Sequence, residues 1–192
     1  GANVVTTRER DEQLHEVRMD DNAPSTVVEG TWTTYTRPVH LNHQPWMDSA
    51  RVAPTTPEAS ATQLTWRADI PETDHYGLRI WYPEHPDATS NAVLIVHTAG
   101  GDVRVEINQQ RNQSRWLWID TYVFPAGDNV PIATMTTESS DPGKVVVADA
   151  IRIGGGMGDY APGGEVSGLP RWQEYSKSWA ITYGAPASVW NR

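Results

Sequence analysis

Nine tryptophans stand against a single phenylalanine, Phe124, and several have polar neighbours that complete a binding chemistry. Trp46 follows His43 in a Pro- and Asn-rich stretch. Trp81 follows Arg79, and Trp118 follows a polar run, Gln109 to Arg115, that holds Asn112 and Arg115. Sugars present flat C–H faces ringed by hydroxyls. Flat indole rings beside amide, imidazole and guanidinium groups offer a partner to each. Trp46 with His43, Trp81 with Arg79, and Trp118 with Asn112 and Arg115 are therefore the predicted glycan-binding residues. Trp116 is assigned to the core, the place most tryptophans of such a domain take.

Catalytic patterns are sparse. Gly164-Glu-Val-Ser-Gly168 has the wrong spacing for a nucleophile elbow. Gly154-Gly-Gly-Met-Gly158 lacks the Lys-Ser/Thr ending of a phosphate loop. His40 and His43 have no third ligand beside them and read as surface histidines, not zinc ligands. Glu72 and Asp74 sit in a solvated turn. Asp20, Asp21 and Glu29 could supply oxygen ligands to a structural calcium, but their spacing matches no standard calcium loop. The sequence therefore predicts no cofactor and no catalytic residue, with calcium on those carboxylates as the alternative reading. An enzyme would be signalled by two carboxylates, or a histidine and a carboxylate, converging in one cleft, which sequence order cannot show.

The elements that must position these residues are strands. Tyr76, Leu78, Ile80 and Tyr82 alternate with Arg79 and Trp81, and Val103, Val105 and Ile107 alternate with Arg104 and Glu106. Further β-rich runs span Thr26 to Tyr35 (interrupted at Gly30), Ala61 to Ala68, Asn91 to Thr98, Trp116 to Ile119, Thr121 to Asp128 (ending in a turn), Val130 to Thr136 and Lys144 to Ile153. Asp149 shares parity with Val147 and Ile151, so it faces the core or a strand edge, where a carboxylate needs hydrogen bonds. A structural role follows, holding a neighbouring loop through its N–H groups. Residues 36–60 read as a long irregular segment.

At 192 residues the chain suffices for one main domain. Residues 1–16 form a polar lead-in, 17–153 a β-sandwich, and 154–192 a glycine-rich linker with one amphipathic helix bearing Trp172, Tyr175, Trp179 and Tyr183. That aromatic stripe is a docking face for neighbouring domains. A net charge of −9 with scattered Lys and Arg argues against nucleic acid, and no apolar run is long enough to cross a bilayer. The absence of cysteine excludes disulfides and thiolate metal sites. The first residues carry no signal pattern, so any export signal is expected to have been removed or to lie outside this sequence.

The order Tyr76-x-Leu-x-Ile-Trp-Tyr-Pro83, Ser90-Asn-Ala92, Val96-His-Thr-Ala-Gly-Gly101, Gln109, Trp116, Thr121-Tyr-x-Phe124, Gly127 and Val146-Val-Ala-Asp-Ala-Ile151 resembles the golvesin C-terminal-like domain. This family is also described as the carbohydrate-binding-like domain of xanthan lyase. The resemblance covers about residues 17–153 and implies an all-β, jelly-roll-like antiparallel β-sandwich. It further implies a non-catalytic module attached to secreted or cell-surface bacterial proteins that act on polysaccharides or peptidoglycan. The tail, Gly154 to Gly158 and Ser167 to Trp172, resembles cell-surface proteins in which such a domain adjoins an amidase-like zinc hydrolase. The zinc motifs of that region do not occur here. A structural module packing against an adjacent catalytic domain, with no glycan ligand of its own, is the alternative function.

Overall fold

The structure is a computed structural model that describes residues 17–36 and 45–154. Among these residues all regular structure is strand, arranged as an antiparallel β-sandwich. One sheet runs in the order β1 (Val17–Met19), β12 (Ala150–Gly154), β6 (Asp74–Trp81) and β9 (Leu117–Phe124). A second has β2 (Val27–Glu29), β5 (Gln63–Ile70), β10 (Gly127–Thr136), β7 (Ala92–Thr98) and β8 (Gly101–Ile107). A small third sheet holds β11 (Val145–Ala148), β4 (Ala50–Pro54) and β3 (Thr33–Tyr35). The predicted lead-in and C-terminal helix lie outside the described residues.

Period-two alternation turns one side of each strand inward. Leu78 and Ile80 of β6, Ile151 and Ile153 of β12 and Phe124 of β9 meet Leu64 and Trp66 of β5, Met135 of β10 and Leu94 and Val96 of β7 in one core. Val146, Val147 and Ala148 of β11 extend that core under the third sheet. The interruption at Gly30 is a change of sheet: φ is 74°, and β2 and β3 on either side belong to different sheets. Glycine reaches this left-handed conformation without the Cβ penalty.

Three expectations are corrected. The run Lys144 to Ile153 is two strands in two sheets, broken at Asp149. The 36–60 segment contains β4, whose short Ala-Arg-Val-Ala-Pro pattern is too brief to stand out from its Pro- and Thr-rich flanks. Gly154, assigned to the linker, closes β12 opposite Gly77.

Two polar devices seal the third sheet. Gln109 is fully buried and treats Val147 as a strand partner: its Nε2 donates to Val147 O at 2.6 Å and its Oε1 accepts from Val147 N at 2.9 Å. Asp141 Oδ2 accepts from Ser90 N at 2.6 Å and Ser90 Oγ at 2.7 Å, with Thr89 Oγ1 at 3.0 Å. These donors, the Ser90 hydroxyl first, hold its carboxyl below the ordinary 3.8. A depressed folded value stabilises the fold above the unfolded pKa, and that stabilisation disappears as pH falls through the folded value. Thermal unfolding followed from pH 6 down to pH 2 should therefore show a steeper acid loss in the wild type than in Asp141→Asn. Parallel curves would remove Asp141 from the account.

Candidate functional site

The outward side of the first sheet gathers the tryptophans. Gly77, Arg79 and Trp81 alternate with the core residues of β6, and Arg152 alternates with Ile151 and Ile153 on β12. Register places Arg18 opposite Arg152, Arg152 opposite Arg79, and Arg79 opposite Trp118, so three arginines and one tryptophan form a row across four strands. Each guanidinium lies over a ring: Arg18 over Trp46 at 5.4 Å, Arg79 over Trp118 at 4.8 Å and Arg152 over Trp116 at 5.2 Å. Such contacts are electrostatically attractive through the ring quadrupole.

Trp46, Trp81 and Trp116 pack on one another, with centroids 5.3 Å apart for Trp46 and Trp81, 4.9 Å for Trp46 and Trp116, and 5.6 Å for Trp81 and Trp116. The interplanar angles of 64° for Trp46 and Trp81 and 65° for Trp81 and Trp116 are the edge-on arrangements that aromatic quadrupoles favour, and Trp46 and Trp116 are tilted at 59°. All three rings are half-buried. Trp118 lies across Gly77, where a Cβ would come within 2.7 Å of its ring, so the glycine makes room for the indole.

Trp116 is thus not a core residue. Leu117 and Ile119 take the inward positions, and Trp116 joins Trp118 on the outward parity. The predicted pairings also rearrange. Arg79 lies over Trp118, its partner in register on β9. His43 lies outside the described residues. Asn112 and Arg115 are exposed in the loop before β9, with Asn112 at a positive φ of 56°. Arg18 and Arg152 were missed, although the Ile-Arg-Ile pattern of 151–153 marks Arg152 as outward-facing.

Beneath Trp46 lies a buried acidic cluster. One carboxylate oxygen each of Asp20, Asp21 and Asp149 falls within 4.8 Å of the others. Asp149 is 0% exposed and Asp21 1%. Asp149 Oδ2 accepts from Trp46 N at 2.8 Å, and its backbone carbonyl receives Trp66 Nε1 at 3.3 Å. Asp149 Oδ1, Asp20 Oδ1 and both Asp21 oxygens are buried with no hydrogen-bond partner. The cation in contact is Arg51, its Nε 3.3 Å from Asp21 Oδ2. Burial pushes the Asp21 carboxyl up to about 7, with Asp20 adding to it, and pushes Asp149 up to about 9, against the opposing Trp46 N–H. Glu29, grouped with Asp20 and Asp21 as a calcium ligand in the sequence reading, sits apart on β2 and accepts from Gln63 Nε2 at 2.5 Å.

A second polar surface lies on the outward side of the second sheet. His97 Nδ1 is 2.8 Å from Asp102 Oδ1 and its Nε2 2.8 Å from Thr134 Oγ1, which is 2.7 Å from Thr65 Oγ1. With Gln63, Glu29 and Arg67 these residues line an open trough of about 480 Å³. A histidine and a carboxylate do converge here. Thr134 pairs with Thr65 on one side and Ile95 on the other, so among the described residues the backbone N–H groups flanking it belong to the ladder and form no oxyanion pocket. The relay orders hydroxyls on a sheet surface.

The model of the Golvesin C-terminal domain matches residues 17–155, a span that contains every described residue. The chain belongs to the Golvesin C-terminal domain family. Golvesin of Dictyostelium discoideum is 28% identical over 128 residues, which cover 67% of this chain and 21% of that protein. The chain thus spans about a fifth of the length of that curated relative. Among solved structures, Paenibacillus xanthan lyase matches with a TM-score of 0.61 at 22% identity, over 73% of this chain and 13% of that one. A family 35 carbohydrate-binding module from Clostridium thermocellum matches with a TM-score of 0.49 at 12% identity, over 72% of this chain and 98% of that one. The fold of this golvesin-family domain is therefore that of a segment within a much larger lyase.

Proposed function

We propose that this golvesin-family domain is a non-catalytic, glycan-binding accessory module of a larger secreted or cell-surface bacterial protein, with the tryptophan face of the first sheet as its binding surface. The observation that carries the reading is the set of four half-buried indoles, Trp46, Trp81, Trp116 and Trp118, held on one sheet face by ring contacts and by Arg18, Arg79 and Arg152. Rings fixed in this way lose little freedom when a ligand stacks on them, which favours binding. The similarity to one segment of a xanthan lyase supports an accessory role beside a polysaccharide-acting domain. The ligand class is a polysaccharide or cell-wall glycan.

Retention of the purified chain on insoluble peptidoglycan and on a panel of acidic and neutral polysaccharides tests this reading, with tryptophan fluorescence followed alongside. Trp118→Ala and Trp46→Ala are expected to weaken retention about tenfold or more, the scale of an aromatic hot spot. Melting curves establish that both variants are folded. Selective retention lost in these variants supports the face; unchanged retention in both removes it. No retention on any glycan favours the structural module that packs against a catalytic neighbour.

A further inference from the structure

We infer that Asp20, Asp21 and Asp149 form a binding site for a hard divalent cation, calcium, which ties the end of β1 to the β11–β12 junction and to Trp46. Three carboxylates within 4.8 Å of one another, two of them fully buried, repel strongly in a low-dielectric setting. Arg51 offsets one of the three charges through Asp21. The remaining formal charge matches a divalent ion.

The second observation is the set of orphaned oxygens. Buried polar atoms in folded proteins almost always find partners. Here Asp149 Oδ1, Asp20 Oδ1 and both Asp21 oxygens make no hydrogen bond, while the protein side of the site is already organised by Trp46 N on Asp149 Oδ2 and Asn22 N on Asp20 Oδ2. Such oxygens are what a metal ion satisfies. Among the described residues the cluster is all oxygen, with neither imidazole nor thiolate, which selects a hard cation over zinc or copper. Asp48 lies close enough to act on Asp20 and adds to the negative field. Calcium accepts irregular sets of carboxylates completed by water, whereas magnesium demands near-ideal octahedral geometry.

The site joins distant parts of the chain. Asp20 and Asp21 follow β1, Asp149 separates β11 from β12, and Trp46 brings in the segment before β4. A bound ion would pin all three. Because Trp46 packs against Trp81 and Trp116, the ion also fixes the base of the aromatic face, whatever that face binds.

The test uses the whole chain freed of metal with a chelator and titrated with calcium, magnesium or terbium. Calcium at about a hundredfold excess over its dissociation constant should raise the melting temperature by roughly 5–10 °C. Terbium should luminesce on tryptophan excitation, because Trp46 and Trp66 both touch Asp149. Asp149→Asn should lose both responses. Asp20→Asn, at a half-buried position, should weaken each about tenfold and serves if the Asp149 variant does not fold. No response in the wild type overturns the site, as does an equal response in wild type and Asp20→Asn, which would indicate adventitious surface binding. A larger shift with magnesium than with calcium overturns the assignment to calcium.

Discussion

Gln109→Leu is expected to lower the free energy of unfolding by about 3–5 kcal/mol, measured by urea denaturation followed through tryptophan fluorescence. Leucine matches the volume of glutamine closely, so the loss comes from hydrogen bonds and not from a cavity. Val147 N and O lie on the buried outer edge of β11, where Gln109 supplies both partners. Removing the amide orphans both groups at about 1–3 kcal/mol each. Against a typical total of about 5–15 kcal/mol this takes a large share of the stability. A loss below about 1 kcal/mol would mean that water or a shifted strand end replaces the side chain.

Trp66→Ala should cost a similar amount, about 3–5 kcal/mol, for a different reason. Trp66 is 0% exposed and its inward-facing ring is among the largest groups in the core, so truncation leaves a cavity the surrounding strands cannot close. Its Nε1 also donates to Asp149 O at 3.3 Å, at the break between β11 and β12. Trp66→Phe should keep most of the packing and lose about 1–2 kcal/mol through that bond and the residual volume. Equal losses in the two variants would place the hydrogen bond, and not the ring, at the centre of the effect.

Strand parity made much of this fold legible. The alternation from Tyr76 to Tyr82 identified β6 and its outward Arg79 and Trp81, and the parity of Asp149 placed it inward, where it holds the Trp46 N–H. The same rule would have put Trp116 with Trp118, since Leu117 and Ile119 between and after them are the core residues. Assigning Trp116 inward, where most tryptophans of such a domain lie, overrode a signal that was present. Other features had no local signal. Asp20 and Asp149 lie far apart in sequence and meet because β1 pairs with β12. Thr134, His97 and Asp102 meet because β10, β7 and β8 are adjacent in the second sheet. Gln109 looked like one more residue of a polar loop, yet its amide completes a strand edge supplied from elsewhere in the chain.

The pairing of β1 with β12 has a mechanical consequence. Val17 lies opposite Ile153, so the chain enters and leaves the sandwich at the same end of one antiparallel pair. Tension applied through the flanking segments pulls these strands apart crosswise, and the bonds between them break one after another instead of sharing the load. β1 has only three residues, so the first strand would peel away at low force while the remaining strands stay paired. A load-bearing tether would call for shear across long strands. Pulled by its two ends, this sandwich yields at β1 before its core is disturbed.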